Sequence, residues 1–97
     1  MPVLKITVKF FATLRKTVKD KEIMLEVEEG TTILHLLEII VNIYPSLHDQ
    51  IFNVKTELRE WIKILINGRN IIFLNGLKTE LNYGDEVALF PPVAGGR

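Results

Sequence analysis

Cysteine is absent from the 97 residues of this chain. Its absence excludes disulfide bonds, thiolate metal sites and a cysteine nucleophile, and it agrees with a reducing compartment. Serine occurs once, at Ser46, and no general base stands at a recognisable spacing from it. A glycine-rich phosphate loop is also missing, because Gly68, Gly76 and Gly84 each stand alone in a predicted turn. The sequence therefore lacks the parts of a stand-alone enzyme.

Metal-ligating residues are scarce as well. His35 lies among apolar residues of a predicted helix, and His48 follows Pro45, with no carboxylate at ligand spacing from either. Two such histidines without cysteine make a poor metal site. We therefore predict no metal site and no bound cofactor.

Neither sign of charge is in excess, since 12 lysines and arginines balance 12 aspartates and glutamates. A neutral domain has no overall field that would attract nucleic acid or an anionic membrane. The longest apolar stretch, around residues 39–41, is far too short to cross a bilayer, and no signal peptide is visible. We therefore expect a cytoplasmic protein whose partners include neither nucleic acid nor membrane.

Two hydrophobic periodicities divide the chain into strands and one helix. Apolar and polar side chains alternate in residues 2–10 and 22–28, which predicts two strands joined as a hairpin with a long loop. Helical spacing after the N-cap residue Thr32 continues to about Ile43, and Pro45 then ends the helix. This segment is the one main helix that the sequence predicts.

Three further strands are predicted in the second half of the chain. Residues 61–66 are apolar on both faces, which indicates a central strand. The Asn67-Gly68 dipeptide predicts a tight turn into a short returning strand over residues 71–74. Residues 85–90 form the last predicted strand, which runs directly into the tail. Residues 46–60 are less clear and are predicted as a short helical turn and a polar loop.

This order of elements predicts an α+β protein with the β-grasp, or ubiquitin-like, fold. One helix covers one face of a mixed four- to five-stranded sheet, with the first and last strands side by side at its centre. Residues 1–90 are predicted to be the domain, and residues 91–97 an extended C-terminal tail. The face away from the helix is predicted to be an apolar partner surface centred on residues 61–66 and Phe90.

The tail combines a stiff segment with a thin one. Pro91 and Pro92 each fix φ and lack a backbone donor, so they cannot join the interior of a sheet. Gly95 and Gly96 have no side chains and make the chain as narrow as a polypeptide can be. This combination suits insertion of a chain end into a narrow site on another protein. We expect the residues after about Pro92 to be mobile in the free protein.

Two segments carry a resemblance to a known family. Residues 82–96, NYGDEVALFPPVAGG, resemble the closing segment of the molybdopterin synthase small subunit, the MoaD-type sulfur carriers. Residues 8–15, VKFFATLR, resemble the first strand and turn of that family. The resemblance spans essentially the whole chain, and the long segment at residues 46–60 is closer to archaeal-type relatives.

The resemblance implies sulfur carriage. In that family an E1-like adenylating enzyme uses ATP to activate the terminal glycine, which is then converted to a thiocarboxylate. The tail enters the large subunit of molybdopterin synthase and donates sulfur to a pterin precursor, which builds the ligand for molybdenum or tungsten. Carried over to this chain, Gly96 would bear the sulfur. Six residues would contact the partner. Phe90 would anchor the base of the tail, Gly95 would keep the approach to the reactive residue narrow, and the spacer between them would be Pro91, Pro92, Val93 and Ala94.

Arg97 departs from the family pattern, in which the active form ends at the second glycine. A glycine in an amide bond has no free carboxylate, so it cannot be adenylated. The alternatives are that Arg97 is trimmed in the cell, that the chain is not activated, or that the residue is an artefact. Two functions from other classes therefore stand beside sulfur carriage: a ubiquitin-like protein modifier, and an interaction domain that is never activated. A related sulfur-carrier role in tRNA thiolation or thiamine synthesis is a further alternative, which the Pro-Pro-Val ending disfavours.

Overall fold

A five-stranded mixed sheet is the framework of the protein. The computed structural model describes residues 3–91. Its strands and main helices, in chain order, are β1 (Val3–Phe10), α1 (Ala12–Val18), β2 (Glu22–Glu28), α2 (Ile33–Ile43), α3 (His48–Ile51), β3 (Lys63–Ile66), β4 (Arg69–Asn70) and β5 (Glu86–Phe90). Short 3₁₀ turns occupy Pro45–Leu47, Ile71–Phe73 and Gly76–Lys78.

The strands lie in the order β2-β1-β5-β3-β4. β1 and β5 are parallel neighbours, and the other three pairs are antiparallel. The prediction of a mixed sheet with the first and last strands at its centre is therefore confirmed. The predicted hairpin of β1 and β2 is also confirmed, and α1 lies within its long connection.

Helix α2 covers one face of the sheet. Thr32 is its N-cap, and its side chain accepts a hydrogen bond from the backbone N–H of His35 at 3.3 Å. The helix ends before Pro45, as the sequence predicts. Its apolar side packs on the inward side chains of β1, β3 and β5, and both sets of side chains are buried. The buried helix residues include Leu36, Leu37 and Ile40, and the buried strand residues include Ile6, Val8, Ile64, Val87 and Leu89. No helix within residues 3–91 is long and apolar enough to span a membrane.

The predicted strand at residues 71–74 is wrong. The strand after the Asn67-Gly68 turn has only two residues, Arg69 and Asn70, and the chain then enters a 3₁₀ turn. The cause is local: the side chain of Asn70 accepts a hydrogen bond from the backbone N–H of Ile72 at 3.0 Å, which bends the backbone away from the sheet. Ile72 is consequently 73% exposed.

The open face of the sheet is mixed in character, so the prediction that it is apolar is too broad. β3 begins at Lys63, and Trp61 lies before the strand with 52% of its surface exposed. Along β3 the outward side chains are Lys63 and the half-buried Leu65. On β5 the exposed Glu86 precedes the half-buried Ala88 and Phe90. The apolar part of this face is therefore a narrow patch that leads toward Phe90.

Asp85 ties the two turns at the other end of β5 together. It is 7% exposed, and its carboxylate accepts one hydrogen bond from the side-chain amide of Asn67 at 2.9 Å and another from the backbone N–H of Asn82 at 2.8 Å. Asn67 in turn accepts from the backbone N–H of Glu86 at 3.0 Å. This network sets where β5 begins, and therefore where the tail leaves the sheet.

Substitution of Asp85 by alanine is expected to lower the free energy of unfolding by about 2–3 kcal/mol, because it leaves two donors without their acceptor. Urea denaturation followed by circular dichroism measures this change. The matched control is Glu86→Ala, which removes an exposed carboxylate that pairs with Lys9 at 3.1 Å and should cost less than about 1 kcal/mol. Equal losses in the two variants would contradict the assignment.

Candidate functional site

The candidate site is the end of β5, where the tail begins. β5 is held on both sides up to its last residues, since Leu89 lies opposite Phe10 of β1 and Phe90 lies opposite Lys63 of β3. Leu89 is fully buried, whereas Phe90 points to the open face and is half-buried. The tail therefore leaves from a central strand that two neighbours keep in place.

Phe90 stacks on the side chain of Phe11. The ring centroids are 4.3 Å apart and the ring planes are 9° from parallel. The parallel register explains the contact, because Phe11 is one residue beyond Phe10, as Phe90 is one residue beyond Leu89. Such a pair contributes roughly 0.5–1.5 kcal/mol beyond the apolar area that it buries. The first and last strands thus jointly fix the root of the tail.

Arg15 completes this side of the site. Its guanidinium carbon lies 5.4 Å from the centre of the Phe11 ring, and its Nε–H is donated to the backbone carbonyl of Phe10 at 3.0 Å. Helix α1 brings it there, because the chain turns sharply at Ala12, whose φ is 53°. Arg15, Phe11 and Phe90 therefore form a row that ends at the tail.

A second arginine–aromatic pair stands on the other side. Arg59 places its guanidinium carbon 5.8 Å from the centre of the Trp61 ring, and its Nε–H is donated to the backbone carbonyl of Asp49 at 2.7 Å. Both side chains border a shallow cavity of about 220 Å³, which is also lined by Thr13 and Pro91. Pro91 is the first residue after β5, so this cavity adjoins the tail.

Both signs of charge lie around the tail's root, since Asp49 lines the same cavity as Arg59. The ion pairs found within residues 3–91 join Lys9 to Glu86 and His48 to Asp49, each at 3.1 Å. In this part of the chain, the cations at the site have no carboxylate within 4.0 Å; they are Arg15, Arg59 and Lys63. These three cations are therefore not neutralised by a carboxylate contact within the described residues.

The predicted site residues divide between the domain and the tail. Phe90 and Pro91 lie where the sequence predicted the base of the tail. The other predicted residues lie outside the described part of the chain; they are Pro92, Val93, Ala94, Gly95, Gly96 and Arg97. The prediction that this segment is mobile concerns those same residues. Within residues 3–91, no group of three or more histidine, aspartate or glutamate side chains could hold a metal ion.

Sequence reasoning missed two parts of this site. Phe11 and Arg15 were noted only as part of a motif, and the contact to Phe90 depends on a parallel register that one sequence does not reveal. Arg59 was assigned to a polar loop and Trp61 to a strand. The only signal for the second pair is that an arginine and a tryptophan, two residue types that form cation–π pairs, stand close together in the sequence.

Comparison with known proteins supports the fold and relates it to named families. A family model described as the ThiS family matches residues 8–96. The small archaeal modifier protein 3 of Haloferax volcanii is 34% identical over 93 residues, which are 96% of this chain and 100% of that protein. The molybdopterin synthase sulfur carrier subunit of Mycobacterium tuberculosis is 30% identical over 96 residues, which are 96% of this chain and 99% of that one.

Solved structures of related proteins have the same fold as this chain. The solution structure of the small archaeal modifier protein 1 of Methanosarcina acetivorans matches with a TM-score of 0.83 and 37% identity, covering 99% of this chain and 100% of that one. A chain in the crystal structure of the Amycolatopsis orientalis BexX/CysO complex matches with a TM-score of 0.75 and 25% identity, covering 94% and 99%. The predicted ubiquitin-like β-grasp fold is confirmed.

Proposed function

This chain belongs to the ThiS family of ubiquitin-like sulfur carriers, which agrees with the predicted likeness to MoaD-type carriers. We propose that Gly96 is its reactive residue, after hydrolysis of the Gly96–Arg97 peptide bond has removed Arg97 and freed the Gly96 carboxylate. In this proposal an E1-like enzyme adenylates the carboxylate of Gly96, and the resulting thiocarboxylate donates sulfur in molybdopterin synthesis. The large subunit of molybdopterin synthase is the proposed partner that receives the charged tail.

The observation that carries the proposal is the way in which the domain presents its tail. β5 is paired with β1 as far as Leu89 and with β3 as far as Phe90, and Phe90 is stacked on Phe11, so the domain fixes the point from which the tail starts. From Phe90 to Gly96 an extended chain reaches at most about 20 Å. A tail of that length can reach a buried site while the domain stays on the partner's surface.

Glycine suits the proposed reaction. An oxygen of the Gly96 carboxylate attacks the α-phosphorus of ATP, and pyrophosphate leaves. A sulfur nucleophile, supplied as a persulfide or sulfide, then attacks the carbonyl carbon and AMP leaves. A persulfide donor must afterwards give up its S–S bond to a thiol. The first step needs an accessible carboxylate oxygen and the second an accessible carbonyl carbon, and glycine has no side chain to cover either of them. ATP is therefore a substrate of the activating enzyme, and the domain itself needs no bound cofactor.

The molybdopterin assignment is supported by the Mycobacterium tuberculosis relative, which is a sulfur carrier subunit of molybdopterin synthase and matches nearly the whole chain. The BexX/CysO complex supports the general expectation that a domain of this kind works in complex with a partner. The three cations at the tail's root that have no carboxylate contact within the described residues support a partner with an acidic surface around its channel.

A protein modifier is the second candidate, and the Haloferax volcanii relative favours it, since that protein is named a modifier and has the higher identity of the two curated relatives. A modifier uses the same adenylate but transfers Gly96 to a lysine amine of a target. The two functions therefore share the first step and differ in the acceptor.

The acceptor can be identified with purified components. We expect thiocarboxylated chain ending at Gly96, mixed with the large subunit and the pterin precursor, to lose its sulfur and yield the dithiolene product. The control is the same chain with an ordinary carboxylate at Gly96, which should yield none. Isopeptide-linked conjugates in a cell extract, without product from the synthase mixture, would favour the modifier.

A further inference from the structure

The fold holds the two arginines beside the tail in the same manner. Each guanidinium lies over an aromatic ring, Arg15 over Phe11 and Arg59 over Trp61. Each also donates its Nε–H to a backbone carbonyl, at 3.0 Å for Arg15 and 2.7 Å for Arg59. These contacts fix the plane of the guanidinium, and because only Nε donates to the carbonyl, the two terminal nitrogens remain available to a ligand. A fixed guanidinium edge is suited to binding a carboxylate through two hydrogen bonds.

Arg59 is the less expected member of the two. It lies outside both motifs that relate this chain to its family, in the segment between α3 and β3. Trp61 beside it leaves 52% of its surface exposed, so its ring is accessible to a partner as well as to Arg59. Pro91 lines the same cavity, so this pair lies beside the point where the tail begins.

We propose that Arg59, supported by Trp61, is a docking contact for a carboxylate side chain of the adenylating enzyme that receives the tail. This inference rests on the proposed activation of Gly96. The occupant follows from charge and position: Arg59 has no carboxylate within 4.0 Å in residues 3–91, and it borders the exit of the tail. Both candidate functions pass through the adenylating enzyme, so the contact serves either of them.

Neighbouring charges define what kind of contact this is. The carboxylate of Asp49 is 95% exposed and lies 3.1 Å from the Nδ1 atom of His48, and Glu60 is exposed beside Arg59 in the sequence. These two carboxylates weaken the positive potential that a distant partner would experience. Arg59 is therefore expected to act through a direct bond in the bound complex, rather than by attracting the partner over a long range.

The test is steady-state kinetics of the E1-like enzyme with the chain ending at Gly96 as varied substrate and pyrophosphate release as readout. Arg59→Gln is expected to raise KM roughly 5- to 10-fold with kcat unchanged, as for loss of a partly exposed charged contact. Arg59→Lys keeps the charge but lacks the planar edge, so its KM should lie between those of the parent and of Arg59→Gln. Arg69→Gln is the matched control, because Arg69 is an exposed arginine at the far end of the sheet, on β4.

The alternative results are distinct. Equal KM values for the parent, Arg59→Gln and Arg69→Gln would overturn the docking contact and leave the activation of Gly96 intact. An inert parent would instead remove the proposed function and this inference with it. If tRNA binds the parent and not Arg59→Gln while KM stays the same, Arg59 recognises nucleic acid and the inference is wrong. Thermal melting of each variant separates these results from loss of folding.

Discussion

A chain that ends at Gly96 is expected to release pyrophosphate from ATP in the presence of its E1-like enzyme, whereas the chain that ends at Arg97 is expected to release none. Adenylation needs a carboxylate oxygen as the nucleophile. In the longer chain the Gly96 carbonyl belongs to an amide, and the only terminal carboxylate is that of Arg97. Loss of activity should therefore be complete rather than partial.

Arginine would also hinder the reaction sterically. Its side chain adds a permanently charged and bulky group to a tip that otherwise consists of two glycines, Gly95 and Gly96. Pyrophosphate release and the intact mass of the product, measured for both chains, test the prediction. A third chain ending at Gly95 controls for length, and it should be much less active, because the carboxylate then lies one residue short. Equal activity with Arg97 still attached would show that Gly96 is not the reactive residue. Inactivity of every chain would favour an interaction domain that is never activated.

Substitution of Phe90 by alanine is expected to reduce kcat/KM for adenylation by about 30-fold, as is typical of an aromatic anchor in the centre of an interface. Phe90 is half-buried on the open face, so part of its ring remains available to a partner. Its stack on Phe11 holds the ring in one orientation, which lowers the entropy lost on binding. Phe11→Ala should therefore weaken activation as well, although by less.

Phe73→Ala is the matched control for this effect. Phe73 is 76% exposed and lies in the 3₁₀ turn after β4, away from the tail. The Phe73→Ala substitution should therefore leave kcat/KM for adenylation unchanged. The double variant Phe11→Ala/Phe90→Ala should lose less than the sum of the two single losses, because the rings act as one unit. Additive effects, or a Phe90→Ala variant as active as the parent, would contradict a joint role at the root of the tail.

The sequence predicted the parts of the fold that local signals determine. Thr32 and Pro45 bound a helix of clear periodicity, and the structure has its helix at Ile33–Ile43. Asn67 and Gly68 have φ values of 51° and 86°, which belong to the tight turn that this dipeptide favours. In these places the residue type alone restricts the backbone, so a single sequence is sufficient.

The mispredicted parts depend on individual side-chain contacts that hydrophobic periodicity does not specify. Residues 71–74 carry an apolar pattern that suits a strand, but one hydrogen bond from Ile72 to the side chain of Asn70 diverts the chain. Trp61 was placed in a strand because it is apolar, and the structure places it beside the cation of Arg59 instead. The apolar pattern of residues 61–66 did not reveal that β3 starts at Lys63 and presents a charged side chain to the open face. At the root of the tail, the sequence therefore predicted where β5 ends but not the arginine–aromatic pairs beside it, while the predicted tip, from Pro92 onward, lies outside the described residues.

The most direct test of the central claim is the intact mass of the chain isolated from its own cells under non-reducing, thiol-free conditions. We predict a terminus at Gly96 in which one carboxylate oxygen is replaced by sulfur, and this signal should disappear when the E1-like enzyme is deleted. A population that carries only an ordinary carboxylate, unchanged by that deletion and with no conjugates of Gly96 to other proteins, would contradict the account.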